Sequence, residues 1–240
     1  MSMLRRIVAD IASLLFPREC AVCGDTLAEG EEFVCTACRF RIPMTGFADM
    51  AENPMKERLV SLTPIREATA LFYFVAESDW RRTIHDFKYH GRWSHARNLG
   101  IWFGHVLQKS GNYDDIDLVI PVPLHLRKRL QRGYNQSDYI ADGIASILGV
   151  EVAHRALVRK VNNESQTRHN RNERWENVEG IFEVRQPERL AGRKVLLVDD
   201  VFTTGATIIS CCDALFAACK DIEVSVAVLA VSQKEFGFDR

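Results

Sequence analysis

The chain has almost no net charge: 31 Lys and Arg against 32 Asp and Glu leave −1. No global field therefore draws it to nucleic acid or an anionic membrane, and any basic surface has to be local. It has no apolar run long enough to cross a bilayer. It lacks internal repeats and low-complexity tracts, which excludes solenoids and arrays. The G-x-x-x-x-G-K-[ST] loop of nucleoside triphosphatases is missing. No Ser, Cys or His stands in a nucleophile's setting, so chemistry here would rest on positioning and electrostatics. A secretory signal is not expected either. Arg5 and Arg6 precede an apolar run, but Asp10 interrupts it and no small-residue cleavage site follows. Leu4, Ile7, Val8, Ile11, Leu14 and Leu15 instead recur at helical spacing, predicting an amphipathic helix over residues 1–16.

What remains is 240 residues with 47% hydrophobic content, enough for one sizeable core and a small appendage. Cys20 and Cys23, then Cys35 and Cys38, form two C-x-x-C pairs. Each pair is a turn able to aim two thiolates at one tetrahedral zinc, and the short stretch between them can fold back to join the pairs. Gly24 and Gly30 suit such knuckles because glycine reaches positive φ without steric cost. Four sulfur ligands close the site, so the zinc would be structural. A disulfide framework fits poorly with an α/β chain, whose thiols are expected in a reducing, cytoplasmic compartment. Cys211, Cys212 and Cys219 read as small buried hydrophobes of a helix. The predicted layout is a zinc ribbon over 17–45, a proline-broken linker over 46–64 and a larger domain over 65–240.

In that domain strand and helix alternate. "ATALFYFV", "DLVIPVP", "GIFEV", "KVLLVDD" and "EVSVAVLAVS" read as strands. Helical spacing marks "DWRRTIHDFKYH", "SHARNLGIWFGHVLQKS", residues 137–148 and residues 204–220. The pattern predicts an α/β fold with a mostly parallel sheet and helices on both faces. Ligands of such sheets sit beyond the carboxyl ends of the strands. There Asp199 and Asp200 are expected to end a buried strand, and Thr203, Thr204, Gly205, Ala206 and Thr207 to turn into a helix. The N–H groups at a helix start are unpaired and positive, and threonine hydroxyls add donors, so the turn suits a phosphate. The carboxylates would accept from a pair of vicinal hydroxyls or hold magnesium through water. This reading requires that the turn's amides be free and that the acidic pair not be locked in internal ion pairs.

The run "VLLVDDVFTTGAT" resembles the signature of type I phosphoribosyltransferases, whose ligand is phosphoribosyl pyrophosphate with magnesium. The resemblance gives Asp199 and Asp200 the ribose hydroxyls and gives the threonine turn the 5′-phosphate. Five blocks in order, the four cysteines, "HDFKYHGRW", "PVPLHLRKRLQRGYNQS", "SQTRHNRNERWENVEGIF" and the phosphoribosyl run, resemble the ComF family associated with natural competence. Departures are few: Tyr134 replaces a usual Phe, Asn163 a common threonine and His90 a common arginine. By this resemblance Lys88, Arg127, Lys128, Arg129, Arg132, Asn135, Gln136, Gln166 and Arg174 form a basic loop for pyrophosphate or nucleic acid. From Pro121 to Trp175 there are ten Lys and Arg against five Asp and Glu, a local basic excess. Tyr134, His169 and Trp175 offer surfaces on which single-stranded bases stack. Two functions compete. One is a nucleotide-binding protein that handles single-stranded DNA with other DNA-uptake proteins. The other is a transferase moving phosphoribosyl to a nitrogen acceptor with release of pyrophosphate. A third role, an adaptor docking through the cysteine module, also fits.

Overall fold

A computed structural model describes residues 18–75, 78–160 and 180–236. The expected helix over 1–16, together with Asn163, Gln166, His169, Arg174 and Trp175, lies outside them. Five strands, β1 (Ala68–Phe74), β2 (Leu118–Pro121), β3 (Glu151–Val152), β6 (Lys194–Phe202) and β7 (Glu223–Ser232), form one parallel sheet in the order β1-β7-β6-β2-β3. Its central strands carry aliphatic residues on both sides. Along β6, Leu196 and Val198 join one apolar cluster while Val195 and Leu197 join another, as period-2 alternation requires of a sheet covered on both faces.

Around the sheet run α1 (Thr36–Arg41), α2 (Pro54–Val60), α3 (Asp79–Tyr89), α4 (Trp93–Ser110), α5 (Leu126–Arg132), α6 (Gln136–Leu148), α7 (Ala206–Ala218) and α8 (Gln233–Phe236). Helices α3, α4 and α6 contribute Ile84, Phe87, Leu99, Phe103 and Ile140 to the first cluster, and α2 and α7 contribute Met55, Leu59, Ile208 and Leu215 to the second. Cys211, Cys212 and Cys219 are buried with α7 as small hydrophobes. Helices α4 and α6 touch through backbone. A Cβ at Gly100 would lie 2.3 Å from the Ile140 carbonyl oxygen, and one at Gly143 2.3 Å from that of Arg97.

Three sequence expectations are corrected. Residues 182–184 do not join the parallel sheet: β5 (Phe182–Val184) pairs antiparallel with β4 (Leu157–Arg159) in a separate ribbon. Leu126–Arg132 is a short helix with no buried residue, not a loop. The stretch 46–64 packs: Phe47, Met55 and Leu59 are fully buried, and the buried Asn53 amide donates to the Ala68 carbonyl at 2.9 Å.

The cysteine module lies against α3 and α4. Cys20, Val22, Leu27 and Cys38 share the cluster of Trp80, Leu99 and Phe103, Thr83 Oγ1 donates to the Ala21 carbonyl at 3.0 Å, and the Arg39 guanidinium covers the Trp102 ring. Gly24 and Gly30 have φ of 82° and 88°, the left-handed geometry expected of the knuckles.

Candidate functional site

Strand β6 continues two residues beyond where the acidic pair was expected to end it, so Asp199 and Asp200 lie within the strand. Asp199 Oδ1 accepts from Ser137 Oγ at 2.9 Å and from the Asp200 N–H at 2.8 Å. Asp200 is buried. Its Oδ2 accepts from Gln136 Nε2 at 2.8 Å and pairs with Lys88 Nζ at 2.8 Å. The two requirements of the sequence reading therefore part company: one carboxylate is held in an internal ion pair, while the turn beyond it stays open.

That turn runs from exposed Thr203 and Thr204 through Gly205 to Ala206 and Thr207 at the start of α7. Gly205 has φ 85°, and a Cβ there would meet the Phe202 ring at 2.7 Å, so both backbone and packing demand glycine. It caps α7 without a side-chain hydrogen bond. Among the described residues the backbone N–H groups of Thr203, Thr204, Gly205 and Thr207 have no partner, and that of Ala206 reaches only Thr204 Oγ1 at 3.5 Å. These donors and the positive end of α7 face a small concavity shared with Asp199, the arrangement that holds an anion.

Desolvation, reinforced by the charge of Asp200, raises the Asp199 carboxyl from 3.8 to about 7. The folded chain thus holds this proton more tightly than the unfolded chain. Stability is greatest below the unfolded value and is lost as pH climbs from about 4 toward 7. Asp199→Asn keeps an oxygen acceptor for Ser137 and removes that loss. Urea unfolding is expected to show the variant more stable than wild type at pH 8 and little changed at pH 4, and an equal difference at both pH values would refute the assignment.

The remaining predicted residues divide. Lys88 reaches the acidic pair from α3. Arg132 donates to Gln136 Oε1 at 2.9 Å and lies over the Tyr89 ring. Gln136 holds Asp200, and Asn135 is buried, its amide donating to the Val122 carbonyl and Asp138 Oδ1. Both were expected as open ligand donors, yet they are internal braces. Arg127, Lys128 and Arg129 are exposed on α5, and Arg129 faces a cavity of about 760 Å³ that Arg155, Arg159 and Arg185 also line. A second cavity of about 580 Å³ lies at the amino ends of β2 and β6, away from the acidic pair, and holds the Arg189–Glu151 and Arg193–Asp117 ion pairs. Tyr134 donates to the Phe87 carbonyl and meets Tyr139 edge to face, so it packs. Ser137 was missed. Its only signal was a hydroxyl at the start of a predicted helix.

In the N-terminal module the four cysteine Sγ atoms lie within 4.8 Å of one another, and those of Cys23 and Cys35 are 3.8 Å apart. A tetrahedron with bonds of about 2.3 Å to zinc has edges of about 3.8 Å. N–H groups of Val22 and Cys35 point at Cys20 Sγ, and that of Cys38 at Cys35 Sγ. Burial raises the Cys20 thiol, but these N–H groups and that of Cys23 outweigh it and bring it down to about 7. Burial and the neighbouring thiols push Cys38 well up. Crowded thiols of this kind are reconciled by a dication, so the residues present fit zinc.

A family profile described as the phosphoribosyl transferase domain matches residues 136–235, from the Gln136 brace to the end of α8. Competence protein ComFC of Bacillus subtilis is 26% identical over 195 residues, 76% of this chain and 77% of that protein. Competence protein F of Haemophilus influenzae is 30% identical over 93 residues, 38% of this chain and 41% of its own length. Among solved structures, glutamine phosphoribosylpyrophosphate amidotransferase from B. subtilis superposes with a TM-score of 0.42 at 19% identity, over 60% of this chain and 30% of that one. Among the described residues no helix is long and apolar enough to cross a membrane. Four clustered cysteines thus stand ahead of the stretch that matches the phosphoribosyl transferase domain, and the chain is similar to the competence proteins ComFC and F.

Proposed function

We propose that the chain binds a phosphoribosyl or nucleotide ligand, of the phosphoribosyl pyrophosphate kind, at the carboxyl end of β6, and that it serves single-stranded DNA handling during DNA uptake. One observation carries the first half: a helix start whose N–H groups have no partner among the described residues, one short turn from a carboxylate. The turn takes the 5′-phosphate, and Asp199 accepts from the sugar hydroxyls. Lys88 already neutralises Asp200, which leaves Asp199 and the ligand's own phosphate oxygens as the donors for magnesium, an ordinary oxygen set for that ion. Magnesium would supply charge neutralisation of the pyrophosphate. The competence names of the relatives and the exposed Arg127, Lys128 and Arg129 support the DNA half, in which affinity rests on phosphate contacts and falls steeply with salt.

Titration calorimetry tests both. Phosphoribosyl pyrophosphate with magnesium is expected to bind wild type and not the variant with Asp199→Asn and Asp200→Asn, while a single-stranded oligonucleotide binds both. Sugar-phosphate binding that is absent from wild type, or equal in the variant, defeats the reading. A cavity of about 280 Å³ lined by Phe74, Ile84, Tyr89, Val201 and Thr203 favours a second reading. Its apolar walls suit a planar base beside the phosphate turn, as a transferase to a nitrogen acceptor needs. That reading requires pyrophosphate release only when the right base is present.

A further inference from the structure

Helix α3 ends in an arrangement that neither the cysteine module nor the phosphate turn uses. His85, Asp86 and His90 each offer one ligand atom, and the three atoms lie within 4.8 Å of one another. His90 leaves the helix at its C-cap with φ −113° and ψ 18°, which carries its ring back toward His85. The two imidazole centroids are 5.2 Å apart, and His90 Nδ1 is 2.9 Å from Asp86 Oδ1.

A hydrogen bond from imidazole to carboxylate accounts for that last distance but not for the rest. Asp86 is 7% exposed, and a carboxylate so buried needs a full positive charge close by. The basic side chains paired with it among the described residues are the His90 imidazole and Arg92 at 3.9 Å, which is itself half exposed. Neither explains why His85 converges on the same point. A cation does. Two cis ligands with bonds of about 2.1 Å meeting at a right angle stand about 3 Å apart, matching the separation of His90 and Asp86.

We propose that His85, Asp86 and His90 form a second metal site, distinct from the four cysteines, for a divalent transition cation of the zinc, nickel, cobalt or copper class. Two imidazoles and one carboxylate select that class over magnesium and calcium, which prefer all-oxygen sets. The exposed faces of both histidines leave the remaining positions to water. Lys88 and Arg92 oppose a dication, and Arg92 swings into solvent when one binds. His85 lines the 280 Å³ cavity together with Lys88 and Thr203, so the cation sits on the rim of the cleft that holds the phosphate turn. The site depends on no property of that turn and stands or falls separately from it.

The test is nickel titration calorimetry at pH 7.5 on tag-free full-length protein already saturated with one equivalent of zinc. Wild type is expected to take one further equivalent. His85→Gln and His90→Gln, both at exposed positions, lose it, and His125→Gln keeps it. Absence of nickel binding to wild type, or the same stoichiometry in the His85 and His90 variants, overturns the proposal.

Discussion

Replacing Lys88 by methionine is expected to destabilise the fold by about 3–5 kcal/mol, the cost of stranding a buried charge. The Lys88 and Asp200 side chains are 19% and 8% exposed and 2.8 Å apart. Without the ammonium, Asp200 keeps only the Gln136 amide, too little for an ionised group inside the sheet. Asp200→Asn added to Lys88→Met removes the stranded charge, and most of the loss is expected to return. Urea unfolding of the four proteins in the cycle reads this directly. A Lys88→Met variant within about 0.5 kcal/mol of wild type would show that the pair contributes nothing. The ion pair also bears on ligand affinity: any group that competes for Asp200 must displace an ammonium already seated there.

Stripping the cysteine module of metal is expected to be more severe still. Structural zinc contributes on the order of 10 kcal/mol to the folding of small modules. Here the module is no detached appendage, since Val22, Leu27 and Ile42 lie in the cluster of Trp80, Phe87 and Leu99. Unfolding it uncovers α3 and α4. A strong chelator, or Cys38→Ser, is expected to lower the melting temperature by roughly 20–40 °C, given about 2–4 °C per kcal/mol for a chain of this size. Atomic absorption on protein purified under reducing conditions should find one zinc per chain at the cysteines. A metal-free protein that melts no lower, or cysteines found paired as disulfides, would remove the zinc from the account.

Much of the sheet was legible because its strands are buried on both faces and read as unbroken aliphatic runs: β7 occupies the ten residues of "EVSVAVLAVS". The phosphate turn was legible for a local reason, as its acids, threonines and glycine are contiguous. What escaped was non-local or unburied. Nothing near Asp200 announces that Lys88, on another element, will neutralise it. Nothing in "HLRKRLQRG" signals a helix that buries no side chain, and Leu130 is 75% exposed there, so the basic residues read as a loop. The stretch 46–64 read as a connection because prolines break it, although Pro54 opens α2 at a position that tolerates proline. The ribbon of β4 and β5 was misassigned because three residues of alternating pattern cannot say which sheet they join.

The contact of α4 with α6 through Gly100 and Gly143 bears on motion. Helices that meet backbone to backbone have no intervening side chains to change rotamer, and so none of the play that lets packed elements slide past one another. The platform beneath Ser137 and the acidic pair is therefore stiff against shear. Any rearrangement linked to an incoming ligand has to be taken up by the turns after the strands and by the end of α3, where Lys88 is anchored.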